Sequence, residues 1–320
     1  MGSSWAVSTK ETYGAGLLVF HVYCDTLNIP EMKCCPVSLS LLLAFLSSYA
    51  GSYGAAGLKA WHLLHGQPWY VQANELKATL DGATALALPS SKRQKRELFT
   101  PAIIISLCQL LDLNDPRDAA VFTCLTTTFY SIACLSEFTV PAINAFSPTK
   151  HITHAHVSEV TDRNGLPVMK FHLPSMKSSP TEGEDTFWSE QQGLSDPKAT
   201  LNNHFCINNP SALAHLFSWN HPNAAQALSR KELLTRISAI STSINLPNVK
   251  GHSLWIRETL EFLLRGIPFD VVKSMGRWSS EAFTIYLCQH AMILAPYIQH
   301  HEKGYWLFMV IYLFLCLNSI

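Results

Sequence analysis

The sequence predicts a mainly α-helical protein with a small β-sheet, arranged as two domains. Three observations lead there. Apolar residues recur at helical spacing over most of the 320 residues. The period shifts towards two between residues 156 and 173, around Gly165. A polar, basic stretch, Pro89-Ser-Ser-Lys-Arg-Gln-Lys-Arg-Glu97, separates two regions, and at 48% apolar residues overall the chain can build a core in each.

Residues 9–28 place Tyr13, Leu17, Phe20, His21 and Cys24 at helical spacing, and Pro30 ends the pattern. Ser38 is a side-chain cap for a helix over 39–49. Shorter helices are predicted over 57–65 and 73–86, interrupted by Gly66-Gln-Pro68. Residues 1–88 thus form a small helical domain, and residues 89–99 a basic linker carrying Lys92, Arg93, Lys95 and Arg96. Thr100, followed by Pro101 at a first helical position, opens a second domain over residues 100–300. Helices are predicted there over 101–111 and 117–137, then paired strands over 157–161 and 167–173. Residues 174–196, rich in Ser, Pro, Gly and Glu, read as a loop. Helices return over 197–208, 229–244, 253–265, 268–275 and 279–289. No internal repeat is evident.

The ends carry little targeting information. The first ten residues lack a charged segment followed by an apolar run, so no secretory leader is expected. Ala6 stands where a myristoylation signal needs Ser or Thr. Residues 301–320 form an apolar tail whose run over 305–317 is shorter than the roughly 20 residues a membrane-spanning helix needs. A buried extension is expected there instead of a membrane anchor.

Charge and cysteine usage exclude several classes. With 23 basic and 23 acidic residues there is no global field, so nucleic-acid binding depends on local basic patches. Nine cysteines without a CxxC pair fit buried thiols in a reducing compartment better than disulfides or a zinc site. The cluster Lys150-His-Ile-Thr-His-Ala-His156 has no further convergent ligands in view, and no metal is expected. Without a Gly-rich phosphate loop, nucleotide hydrolysis has no support. Cys134, beside Ser136 and Glu137, reads as a structural thiol and not a nucleophile.

The stretch from Gly251-His-Ser-Leu-Trp-Ile to Met275-Gly-Arg-Trp-Ser-Ser-Glu-Ala-Phe-Thr-Ile-Tyr286 strings His252, Trp278 and Tyr286 along a helix-patterned background. Upstream lie Tyr130-Ser-Ile-Ala-Cys-Leu-Ser-Glu-Phe138 and Leu173-Pro-Ser-Met-Lys-Ser-Ser179. In order and spacing these segments resemble the active-site motifs of tyrosine recombinases (phage-integrase type), closest to integrase-like proteins of fungal mobile elements, including Crypton-type transposons. The resemblance covers the chain from Ser8-Thr-Lys-Glu-Thr-Tyr13 to Tyr286. It implies an N-terminal helical DNA clamp followed by a recombinase-type catalytic domain. It also implies DNA binding, recombination and integration in the nucleus without a cofactor, with double-stranded DNA as partner and a synaptic tetramer as assembly.

By that resemblance Tyr286 is the nucleophile that forms a phosphotyrosyl link, and Lys177 the strand-borne acid for the leaving oxygen. His252 and Trp278 hydrogen-bond the scissile phosphate. Both arginines that would clamp that phosphate are replaced. In the family's Arg-x-Gly-Glu motif Glu137 matches, but Cys134 holds the arginine position and Ser136 the glycine. In its His-x-x-Arg box His252 matches and Trp255 takes the arginine position. Arg257, two residues further on, lies about 200° around a helix from that position and substitutes poorly. Lys10, Lys59, His62, Lys92, Arg93, Lys95, Arg96, Lys273 and Arg277 are the DNA-contact candidates. Between Gly51-Ser-Tyr53 and Leu58 the chain is also shorter than the family pattern, which implies a curtailed clamp helix.

Arg to Cys and Arg to Trp are each a single C-to-T codon change, which points to a decayed mobile-element enzyme. Two alternatives stay open: an active site-specific recombinase with a substitute cation such as Arg257 or Lys250, and a structural remnant that does not bind DNA.

Overall fold

The computed structural model describes residues 7–49, 55–86, 100–176, 179–244 and 251–278, and the chain divides into two compact units, Met1–Lys95 and Arg96–Ile320. The first is helical throughout its described residues: α1 (Val7–Thr26), α2 (Glu31–Cys34), α3 (Leu39–Ser48), α4 (Ala56–Leu64) and α5 (Ala73–Leu86). The single turn α2 falls where the sequence suggested only a break. Ser38 opens α3 as expected, its hydroxyl accepting the Leu41 N–H at 3.2 Å. The core gathers Phe20 and Cys24 of α1, Leu42, Phe45 and Leu46 of α3, and Leu58 of α4. Phe20 meets Phe45 edge-on at 5.2 Å between ring centroids. Gly57 sets the approach of α4 to α1, because a Cβ there would stand 2.5 Å from the Tyr13 carbonyl oxygen.

The second unit is built around α7 (Pro116–Tyr130), which follows α6 (Pro101–Cys108). Thr100 caps α6 by accepting the Ile103 N–H at 3.1 Å, with Pro101 at the first helical position. Every residue of α7 from 118 to 130 is buried. A helix buried on all sides must satisfy its polar side chains internally. Thr126, Thr127 and Thr128 do so by donating to carbonyls one turn back, at Phe122, Thr123 and Cys124. Thr123 instead donates to the Thr200 carbonyl at 2.7 Å and ties α7 to α9 (Pro197–Asn208). The carboxylate of Asp118 accepts both the Nε and the Nη2 of Arg236 on α10 (Arg230–Ser243), at 2.7 and 2.6 Å.

The continuous helix expected over 117–137 is broken. Ile132 takes a positive φ of 47°, and the chain restarts as the single turn α8 (Leu135–Phe138). A β-branched residue there costs on the order of 1–2 kcal/mol, which the surrounding contacts must offset. The Ser131 carbonyl at the break accepts the Thr186 hydroxyl at 3.1 Å.

Strands β1 (Val157–Thr161) and β2 (Pro167–Leu173) pair antiparallel across the Gly165 turn, Val157 opposite Phe171. A third strand, β3 (Glu184–Trp188), lies inside the segment read as a loop and pairs with β2, Met169 opposite Trp188. Phe171, Leu173 and Trp188 enter the core, and on the strand pair's other side His172 donates from Nδ1 to Asp185 at 2.8 Å. A two-residue ribbon, β4 (Trp219–Asn220) with β5 (Ala225–Gln226), precedes α10. The described chain ends with α11 (Gly251–Leu264) and α12 (Phe269–Met275). The helix expected over 279–289, the linker 89–99 and the tail 301–320 lie outside the described residues. Among the described residues no helix is long and apolar enough to cross a membrane.

Two buried histidines make this unit sensitive to acid. His204 donates from Nε2 to the Leu216 carbonyl and accepts the Asn208 amide at Nδ1, which defines a neutral ring. Burial pushes His204 down to about 4, against the Leu216 hydrogen bond, and pushes His215 down to about 3. The unfolded chain takes up these protons at its ordinary value near about 6.5 while the folded chain refuses them, so stability is lost as pH falls below that value. Urea titrations should show a loss on the order of a few kcal/mol by about pH 4, and His215→Leu should remove part of it. In the first unit, Gly57→Ala should cost about 1–3 kcal/mol by the same measurement, because α4 must move away from α1.

Candidate active site

The end of α12 folds back onto α8 and β3 through one side chain. Arg277 has a positive φ of 56°, and its guanidinium turns inward, only 6% exposed. Nη2 donates to Glu137 Oε2 at 2.6 Å, and Nη1 donates to Thr186 Oγ1 at 2.8 Å and to the Met275 carbonyl at 3.3 Å. Glu137 in turn accepts the Cys134 N–H at 3.1 Å, closing the first turn of α8 as an N3 glutamate does in a capping box. The Cys134 thiol lies 3.0 Å from the Ser136 hydroxyl. Trp278 packs against the core directly after Arg277, and its ring occupies the space that a side chain at Gly276 would need. Burial pushes the Glu137 carboxyl up from its ordinary value, opposed by Arg277 and by the Cys134 N–H.

A second carboxylate faces this pair. Glu258, on α11, is fully buried, and neither of its oxygens has a hydrogen-bond partner among the described residues. Burial first, then the Cys134 thiol and Glu137, push its carboxyl well above the usual range, against the pull of Arg277. Sequence reasoning passed over Glu258, although its spacing of four from the buried Phe262 puts it on the inward face of α11.

The motif positions Cys134, Glu137 and Trp278 are therefore brought to one region by Arg277, a residue expected to contact DNA, and Glu258 lies beside them. His252 and Trp255 belong to α11, but their side chains, together with Lys177, Tyr286 and the linker cations Lys92, Arg93, Lys95 and Arg96, lie outside the described residues. So do the side chain of Arg257 and residues 50–54, where the shortened clamp helix was inferred. Lys10 on α1 and Lys59 on α4 are exposed, and Lys273 on α12 is half-buried.

Two expected DNA contacts need correction. His62 is buried at 1% exposure, donates from Nδ1 to the Leu58 carbonyl at 2.8 Å and accepts the Val37 N–H on Nε2 at 3.0 Å. Neither nitrogen is left for a phosphate. Arg277 is likewise engaged inside the unit, as an internal clasp and not a surface cation. His151, His154 and His156 each bond to backbone at Ser147, Pro210 and Thr153. Among the described residues no group of three or more His, Cys, Asp or Glu is placed to hold a metal ion.

No protein-family model and no curated protein matches the chain. Among solved structures it is similar to "FLP Recombinase-Holliday Junction Complex I" at 11% identity, over 79% of this chain and 80% of that one, with a TM-score of 0.40. It is similar to "Flpe-Holliday Junction Complex" at 12% identity, over 78% and 66% of the two chains, with a TM-score of 0.41. "Crystal structure of XerA recombinase" aligns at 10% identity over 94% and 95% of the two chains, with a TM-score of 0.40. Likenesses at TM-scores this low carry no functional weight.

The Arg277–Glu137 pair is buried enough for the loss of one partner to strand the other. Arg277→Met should cost about 3–5 kcal/mol in urea unfolding of the second unit, because Glu137 then loses its cation.

Proposed function

We propose that the chain is a DNA-binding protein of the tyrosine-recombinase type whose strand-cleaving chemistry is impaired. One observation carries the reading. Glu137 and Trp278, matched to separate motifs of that family, belong to segments that are joined by Arg277, the residue before Trp278, whose guanidinium meets Glu137 at 2.6 Å.

Impairment follows from charge. Phosphoryl transfer needs fixed cations aimed at the non-bridging oxygens before the reaction begins. At the two motif positions stand Cys134 and Trp255. Removing one such donor costs on the order of 3 kcal/mol of transition-state stabilisation, and two together should bring cleavage below a useful rate. Tyr286 would remain the nucleophile, Lys177 the acid, and His252 and Trp278 the phosphate's hydrogen-bond partners. Lys10, Lys59, Lys273 and the linker cations Lys92, Arg93, Lys95 and Arg96 would track the duplex. On this reading residues 1–88 act as the clamp and 100–300 as the degenerate catalytic domain of a nuclear, mobile-element-derived protein. No cofactor is called for, and the family's tetramer is the assembly to look for.

Fluorescence anisotropy on duplex DNA should give a dissociation constant on the order of 10 µM at physiological salt, weakening steeply as salt rises. Neutralising Lys92, Arg93, Lys95 and Arg96 together should weaken it further and flatten the salt slope. A nicked suicide substrate should trap no covalent adduct at Tyr286 in the wild type, and Cys134→Arg with Trp255→Arg should raise trapping. Equal trapping by the wild type and the double variant would sink the impairment, and salt-independent or absent binding would sink the DNA reading.

A further inference from the structure

At the junction of α8, α11 and α12 the Arg277–Glu137 pair has a second carboxyl beside it, Glu258, fully buried and without a hydrogen-bond partner among the described residues. The groups that act on Glu258 come from each side. The Cys134 thiol and Glu137 approach from α8 and its cap, and Arg277 from the end of α12. The helix α7 also packs against α11, and none of its charges figures among the influences on Glu258. Glu184 of β3 acts on Glu137.

The donor inventory decides what Glu258 can be. Both terminal nitrogens of Arg277 are already donating, to Glu137, Thr186 and Met275, and its Nε, although buried and without a partner among the described residues, is not bonded to Glu258. In this arrangement an ionised Glu258 would therefore hold its charge at full burial with no hydrogen bond to either oxygen. With Glu258 neutral, the site holds one guanidinium against one carboxylate. With Glu258 ionised, it holds a net negative charge in the core, and Glu258 competes with Glu137 for Arg277.

We propose that Glu258 is the protonation switch of a latch: its neutral carboxyl lets Arg277 clasp the end of α12 to α8 and β3, and loss of its proton opens that clasp. The folded chain keeps a proton that the unfolded chain has already released above the ordinary carboxylate range. The stability of this region is therefore greatest at low pH on account of Glu258 and is lost as pH rises towards the folded titration. That trend opposes the acid sensitivity of His204 and His215, so the two are separable by direction. The latch does not depend on the DNA-binding reading, and its test uses no DNA.

Amide hydrogen exchange on the full chain, corrected for intrinsic rates, should be compared at about pH 5.5 and about pH 8.5. In the wild type, protection over residues 258–278 should fall at least about tenfold relative to α7 at the higher pH. Glu258→Gln should remove that fall and keep the protection seen in the wild type at low pH. A flat wild-type profile, or an equal fall in Glu258→Gln, overturns the latch. If Glu258→Gln does not fold, infrared spectroscopy of the wild type decides. A protonated carboxyl band that persists above about pH 6 and vanishes at higher pH is expected, and its absence overturns the proposal.

Discussion

The clasp made by Arg277 is the constraint on which the second unit's candidate site depends. Its guanidinium reaches from the chain leaving α12 to Glu137 on α8 and to Thr186 on β3. Thr186 passes the connection on by donating to the Ser131 carbonyl, at the break that ends α7. One side chain thus joins the last described helix, the sheet and the central helix. The turn that delivers it is equally constrained, since Arg277 sits at positive φ and the Trp278 ring fills the space beside Gly276. A buried ion pair gains little net stability over a well-packed apolar alternative. What this one provides is position: with 6% and 19% of the two side chains exposed, the pair holds α8 and α12 in a single arrangement.

Much of the fold was legible from the sequence because its signals are local. Ser38 and Thr100 cap α3 and α6 where their positions predicted, and the switch to period two marked β1 and β2 residue for residue. The failures have a different physical origin. In β3, Thr186 is buried beside Trp188 while Phe187 is exposed, so no clean alternation of apolar and polar residues marks the strand. In α7 the inward side chains include four threonines whose hydroxyls close on the helix backbone or on Thr200, which removes any amphipathic stripe. The break after α7 depends on Ser131 being bonded from β3, a contact more than fifty residues away that no local pattern encodes.

The site was legible in part for the same reason. Motif spacing pointed to Cys134, Glu137 and Trp278, and these do lie together with Arg277. Spacing could not say that Arg277 faces inward, because a cation beside a motif tryptophan looks the same whether it meets solvent or Glu137. Nor could it say that His62 is part of the first unit's core, since a histidine near a lysine on a helix resembles a phosphate contact until its partners Val37 and Leu58 are seen. Glu258 was hidden by its neighbours: Arg257 and Glu261 make the segment look like a solvated helix face.

On the proposed reading, the pattern of loss and retention at this site is itself informative. A surface that never bound an anion has no need to bury acidic groups. Here a fully buried Glu258 and a largely covered Glu137 stand near a position, 134, that holds a thiol. Carboxylates in such a place are what would hold and orient guanidinium groups, and a buried carboxylate is tolerable only while a cation or a proton accompanies it. With one guanidinium remaining for two carboxylates, the proton takes the place of the missing cation. A phosphate approaching position 134 would meet a thiol, with the neighbouring Arg277 guanidinium already paired to Glu137. On the two proposals one shortage of cations underlies both the impaired phosphoryl transfer and the dependence of the junction's closure on a protonated Glu258.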